Sequence, residues 1–346
     1  MTNLTASAAP DDDSEPDVPE QRVAVFGPAP VLVTTIEHRP DGGRDVHVNV
    51  GGQGPWVARM LVTLGVKPVL CIPAGGETGE VALARLQQSD FEISAVLTSS
   101  ATAMYVEERQ IDKPRTCVVE VPPGPMPARD VDAMYDHTLQ VALEAGICVV
   151  TGSPFEGHLA DDVFGRLCRD LRAAGVTLVA DLSQGQLAQV VEAGVHWIKV
   201  ADNELERDGH ATTDDEASLW DAAERLRQAA DADAVVVSRS SEPTFVTTRT
   251  SQRIVTGPKV ETVDARGSGD AMTAAIAAGL ALGWTEDELL RTAVAAGAAN
   301  AVHRSTATAT RETVAQLASL VTIETRSATS ASADATPTGD SGVIDA

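Results

Sequence analysis

The 346-residue chain contains no Gly-x-x-x-x-Gly-Lys-[Ser/Thr] phosphate loop, no Gly-x-Gly-x-x-Gly dinucleotide fingerprint and no Gly-x-Ser-x-Gly nucleophile elbow. Phosphate binding, if any, must rest on some other glycine turn. Cysteine is scarce: Cys71, Cys117, Cys148 and Cys168 are far apart, with no Cys-x-x-Cys pair. Buried reduced thiols fit that pattern better than a disulfide frame or a thiolate metal site. The seven His residues show no His-x-x-x-His spacing, which argues against zinc chemistry. Positive charge is also short, with 26 Lys and Arg against 50 Asp and Glu, for a formal net charge of −24. That balance argues against a nucleic-acid partner or an anionic membrane surface. No apolar run is long enough to span a bilayer, and residues 1–20 lack the basic and apolar regions of a signal peptide. The expectation is a soluble, cytoplasmic protein. Residues 1–20 carry six acids and no Lys or Arg, and the segment from Thr325 onward is rich in Ser, Thr and Ala. Both read as solvated tails, at 1–20 and 325–346, around one folded body over 21–324.

What is present centres on Val263-Asp264-Ala265-Arg266-Gly267-Ser268-Gly269-Asp270. Gly267 and Gly269 flank one small residue, so the backbone can turn tightly and approach a ligand with no Cβ in the way. The following run, Ala271 to Ala278, reads as a closely packed helix. A glycine turn opening a helix aims free N–H groups and the positive end of the dipole outward, which makes an anion site. Asp270, in the first turn, would stand as a base beside such an anion. In isolation the window also fits an ordinary helix start, since Asp is favoured in any first turn.

The rest of the chain alternates strand and helix signals. Apolar runs at 22–26, 68–72, 147–150, 176–180, 197–200 and 234–238 alternate with helical stripes at 55–64, 79–88, 159–171, 187–193, 218–230, 269–280 and 286–302. That order predicts an α/β fold with a mostly parallel sheet covered on both faces. Alternating segments at about 31–50 and 100–121, the second turning near Asp112-Lys113-Pro114, read as lid strands. Ligands in such folds bind beyond the carboxyl ends of the strands. The turns after Phe26, Val50, Val150, Ala180 and Val200 are therefore the informative ones.

Several of those turns, in order, resemble the ribokinase-like carbohydrate kinases, particularly the phosphofructokinase B branch with its 1-phosphofructokinases. Val263–Asp270 is similar to that family's Asp-Thr-x-Gly-Ala-Gly-Asp signature, and Gly51-Gly52-Gln53-Gly54-Pro55-Trp56-Val57-Ala58-Arg59 to its substrate loop. Thr151–Pro154, Asp181–Gly185 and Ile198–Leu205 resemble three further family turns. The resemblance implies a three-layer ribokinase-like sandwich with a small β-strand lid, often buried against a second subunit in a homodimer. It implies transfer of the γ-phosphoryl group of ATP, with Mg²⁺, to a hydroxyl of a sugar or sugar phosphate. Asp270 would be the base, and Ala265, Arg266, Gly267, Ser268 and Gly269 the anion hole. Gly51, Gly52, Gln53, Gly54 and Trp56 would bind the acceptor, Ser238, Ser240, Glu242 and Asn300 the nucleotide, and Glu204 a magnesium ion.

The chain departs from the family pattern at several points. The Asp that family members place on sugar hydroxyls is missing from Gly27-Pro28-Ala29-Pro30-Val31, and the substrate-loop Lys and Asn are Gln53 and Trp56. The Arg and Lys used by phosphosugar members fall at Ala103 and Glu107, and the Asn before the motif Glu is Ala201. Loss of those cations disfavours a phosphorylated acceptor. A neutral sugar or nucleoside, or a sensor that binds without turnover, therefore stays open beside the sugar-phosphate kinase. Ser240-Ser241-Glu242-Pro243 stands for a glycine turn beside ATP, which Pro243 must reshape.

Overall fold

In the computed structural model, residues 21–326 are described, except 111, 112, 114, 305 and 306. The tails expected at 1–20 and 325–346 lie outside the described residues apart from Thr325 and Arg326, as do Asp112 and Pro114 of the expected lid turn. The chain runs β1 (Arg22–Phe26), β2 (Val31–His38), β3 (Arg44–Gly51), α1 (Gln53–Thr63), β4 (Lys67–Gly75), α2 (Gly76–Leu86), β5 (Glu92–Thr98), β6 (Ala103–Arg109), β7 (Thr116–Val121) and α3 (Ala128–Ala145). It continues with β8 (Ile147–Thr151), α4 (Asp161–Ala173), β9 (Thr177–Asp181), α5 (Gln184–Ala193), β10 (Trp197–Ala201), α6 (Asp202–Arg207) and α7 (Glu216–Ala229). Then come β11 (Ala234–Arg239), β12 (Glu242–Thr248), β13 (Gln252–Thr256), α8 (Ser268–Leu282), α9 (Glu286–Ala301), α10 (Arg311–Ala318) and β14 (Thr322–Thr325).

Ten strands form one sheet in the order β14-β13-β12-β11-β10-β9-β8-β1-β4-β5. It is parallel from β5 to β11 and ends in an antiparallel run through β12, β13 and β14. The expected α/β sandwich is therefore the observed one. Strands such as Val23–Phe26 and Cys148–Thr151 are buried on both faces, because helices cover both. One apolar core lies under α1, α2, α8, α9 and α10, and the other under α3, α4, α5 and α7. Helix α8 is buried all round from Asp270 to Gly279, and its alanines let neighbouring backbones close in. Enlarging Ala275 or Ala277, both fully buried, would cost about 1–3 kcal/mol through overpacking.

The lid is a separate four-stranded sheet, β3-β2-β6-β7. Two antiparallel hairpins from distant parts of the chain join through the parallel pair β2–β6, with Val31 opposite Ala103. Val31, Val33 and Ala103 pack inward on Phe155, while β7 is exposed throughout. Cys71, Cys148 and Cys168 are buried and free, and burial pushes Cys71 and Cys168 up to about 12. Cys117 is exposed.

Candidate active site

The carboxyl ends of β8, β9 and β10 lie side by side, with Thr151 opposite Asp181 and Asp181 opposite Lys199. Register alone thus sets an aspartate beside a lysine. The Lys199 ammonium lies 3.3 and 3.4 Å from the two Asp181 carboxylate oxygens, and Thr273 of α8 donates to Asp181 Oδ2 at 2.7 Å. All three side chains are buried. Burial alone would push the Lys199 pKa down, but the charges of Asp181, Glu204 and Asp270 outweigh it and push it up.

Asp270 sits over this group in the first turn of α8 and is 6% exposed. Its Oδ1 is buried and meets no donor among the described residues. An orphaned buried carboxylate oxygen calls for a partner from outside the chain, water or ligand. Burial and then the like charge of Asp181, partly offset by Lys199, push its pKa up to about 7. That value suits a base working near neutral pH.

The turn before α8 is held from several sides. Gly267 adopts φ +76°, a left-handed conformation that glycine takes without strain. Asp264 Oδ1 accepts from the Arg266 N–H, and the Ala265 carbonyl from the Ser268 N–H. Among the described residues the N–H groups of Gly267 and Gly269 meet no acceptor. The anion hole expected over Ala265–Gly269 is therefore narrower, because two of its N–H groups are spent inside the turn. Gly269 is also required below: a Cβ there would meet Lys199 Nζ at 2.4 Å. The ammonium thus lies directly beneath the turn and adds its charge to the helix dipole. Asn300 is fully buried and holds the turn from behind. Its amide donates to the Arg266 carbonyl at 2.7 Å, and its oxygen accepts from the Ala307 N–H at 2.8 Å. Those bonds tie the Asn300 side chain, expected to contact the nucleotide, to the turn itself.

The loop expected to bind the acceptor is placed by backbone contact. Gly52 has φ +97°, and a Cβ there would lie 2.5 Å from the Ala29 carbonyl oxygen. A Cβ on Gly54 would lie 2.7 Å from Gly27 Cα. The glycines therefore seat the start of α1 directly on the turn after β1. Gly52, Gln53 and Trp56 then line a cavity of about 360 Å³ between lid and body, together with Ser153, Gln186, Glu204, Arg207 and Arg266. The Gln186 amide clamps Ser153 through both its backbone groups, at 3.0 and 2.9 Å. Glu204 accepts from the Ala201 N–H with one oxygen, and burial raises its pKa.

Ser238, next to last in β11, lies opposite Ala201. Ser240 and Ser241 form a two-residue connection to β12, with Ser240 at φ +49° and Glu242 opposite Arg239. The turn reshaped by Pro243 is thus a tight hairpin, with a register shift between Val237 and Arg239. Neither Ser238, Ser240 nor Glu242 lines the acceptor cavity.

Apart from Arg266, pattern reading missed the arginines. Glu107 is 1% exposed and lies between Arg115, at 2.9 Å, and Arg266. Asp264 pairs with Arg115 at 2.5 Å and Arg109 at 3.5 Å. Glu37 pairs with Arg304 at 3.0 Å. This chain of ion pairs ties the lid to the anion turn. Arg207 of α6 and Arg266 of the α8 turn also line the acceptor cavity, whereas the family positions at Ala103 and Glu107 carry no cation.

A buried aspartate at a glycine-opened helix, a lysine below it and a lidded cavity reached by Glu204 and Arg266 form an arrangement that suits phosphoryl transfer. Residues 21–313 match the model of the pfkB family carbohydrate kinases. The chain belongs to that family. The kinase is 31% identical over 267 residues to the ATP-dependent 6-phosphofructokinase isozyme 2 of Mycobacterium tuberculosis, covering 76% of this chain and 77% of that one. It is 27% identical over 263 residues to the tagatose-6-phosphate kinase of Staphylococcus epidermidis, covering 74% and 82% respectively. Its fold superposes on phosphofructokinase-2 of Escherichia coli in complex with fructose-6-phosphate with a TM-score of 0.75, at 21% identity over 86% of this chain and 98% of that one. The kinase is an ATP-dependent carbohydrate kinase acting on a small molecule. Among its described residues no helix is long and apolar enough to cross a membrane.

Proposed function

We propose that this kinase phosphorylates a small sugar phosphate, with Asp270 taking the proton of the accepting hydroxyl. The hydroxyl oxygen attacks the γ-phosphorus of ATP, the bond to the ADP oxygen breaks, and the proton passes to Asp270 Oδ1. The free N–H groups of Gly267 and Gly269, with Lys199 beneath, face the charge that develops on the transferring group. The single observation that carries this reading is the buried, unpartnered Oδ1 of Asp270 at that helix start. Arg207 and Arg266 in the acceptor cavity favour a phosphorylated acceptor over a neutral one, as do the sugar-phosphate names of the two relatives.

No group of three metal-ligating side chains converges among the described residues. A magnesium ion fits such a site when phosphate oxygens and water supply most ligands, as Mg²⁺ prefers. Glu204, with one oxygen free of backbone bonds, is the residue that would hold it, and the ion would neutralise phosphate charge. The nucleotide would lie along the β11–β12 hairpin, near Ser238, Ser240 and Glu242. Two copies would pair through the exposed lid strand β7, where Val118 and Val121 are 57% and 48% exposed. ATP as donor accords with the cytoplasmic location expected from the sequence.

The test is ATP turnover with Mg²⁺ against a panel of hexose phosphates, pentose phosphates, free sugars and nucleosides. Turnover with a phosphorylated sugar, lost about 10²–10⁴-fold in Asp270→Asn, is the expected result. Turnover confined to neutral acceptors, or none with any acceptor, refutes the proposal. For the assembly, Val118→Asp should convert a dimer into a monomer by light scattering, and a wild-type monomer would exclude the lid pairing.

A further inference from the structure

The acceptor cavity shares Val33, Trp56 and Arg266 with a larger groove of about 870 Å³ that opens along the edge strand β3. Six arginines line that groove: Arg59, Arg85, Arg109, Arg115, Arg266 and Arg304. In a chain of net charge −24, such a gathering of one sign is held against the molecule's overall bias. Three carboxylates, Glu37, Glu107 and Asp264, accompany them, and each is already in ion pairs with Arg109, Arg115, Arg266 or Arg304.

Arg59 and Arg85 stand apart from this network. Arg59 projects from α1 and donates to the Val50 carbonyl at 2.8 Å, while Arg85, on α2, donates to Gln88 at 3.3 Å. Among the described residues no carboxylate lies within ion-pair distance of either. Burial, then the like charge of Arg85, lowers the Arg59 pKa to about 10. Two guanidinium groups facing one groove without an anion leave a charge deficit that a ligand of opposite sign would fill. Arg115 adds a buried Nε with no partner on the same wall.

We infer that the groove is a second anion site, centred on Arg59 and Arg85, for a multiply charged phosphate compound distinct from the transferred phosphoryl group. Guanidinium forks suit phosphate oxygens, and the volume accommodates more than one phosphate. Because Trp56 and Arg266 belong to both cavities, an anion in the groove acts directly on the acceptor wall.

Inorganic tripolyphosphate is the probe, titrated by calorimetry into the full chain saturated with Mg²⁺ and a non-hydrolysable ATP analogue, which occupies the donor site. The expected result is one binding site in the wild type, weakened about tenfold or more in Arg85→Gln and in Arg59→Gln. Arg85 is exposed, so its replacement leaves the fold unchanged and keeps the test valid if the Arg59 variant misfolds. Absence of binding in the wild type, or equal affinity in Arg85→Gln, overturns the inference. The readout is binding, so its outcome is independent of whether the acceptor is a sugar phosphate.

Discussion

Replacing Asp270 by asparagine should make the protein more stable while disabling it. An aspartate carboxyl titrates near 3.9 in an unfolded chain and here is pushed up to about 7, a gap of roughly three pKa units at 1.36 kcal/mol each, or about 4 kcal/mol. Between those values the folded state holds the proton more tightly than the unfolded state. The stability associated with this raised pKa is therefore complete below pH 4, declines as pH rises, and is lost above about pH 7. The amide of the Asp270→Asn variant cannot ionise and escapes the loss. The variant should thus gain on the wild type by about 2–3 kcal/mol between pH 5 and pH 8, or several degrees of melting temperature. Thermal unfolding of both proteins without nucleotide at the two pH values measures the gap directly. Wild-type turnover should fall about tenfold per pH unit below 7, as the base becomes protonated. A gap that stays constant with pH would refute the assignment of the buried charge to Asp270, as would a variant less stable than the wild type at pH 8.

Lys199→Met removes the cation from among Asp181, Glu204 and Asp270, so the midpoint of the pH–rate profile should move up. Unfolding should cost about 3–5 kcal/mol less, as for breaking any buried pair; an unmoved midpoint would exclude electrostatic coupling to Asp270. Gly52→Ala places a Cβ against the Ala29 carbonyl at φ +97°, and should destabilise by about 1–3 kcal/mol and raise the acceptor KM more than the ATP KM. Steady-state kinetics in both substrates separates the two, and equal changes would detach Gly52 from the acceptor side.

The readable parts of the molecule were those written in consecutive residues. Gly267-Ser268-Gly269-Asp270 announces its own turn, helix and charge, and alternation marks β2, β3, β6 and β7 of the lid. Helix α3 carries charged residues around a narrow stripe of Met134, Thr138 and Ala142, and no expected element covers it. Strands β5 and β14 escaped for another reason: both are edge strands, β5 only partly buried and β14 mostly exposed, so neither shows the continuous buried apolar run of the central strands. Lys199 was visible as a motif letter, yet its place beneath Gly269 depends on the β9–β10 register and the seat of α8, which only tertiary packing sets. The arginines are harder still, since Arg59, Arg85, Arg109, Arg115, Arg266 and Arg304 come from distant parts of the chain. Asn300 illustrates the limit of motif transfer, because the same side chain that borders a ligand turn can be spent on holding it.

Gly27 and Gly54 touch main chain to main chain, and Gly52 rests on a carbonyl. The acceptor loop is therefore positioned without help from the side chains it displays. On the proposed function, Gln53 and Trp56 would be fittings on a fixed bracket: exchanging them would alter which molecule is recognised while the glycine contacts keep the mounting in place.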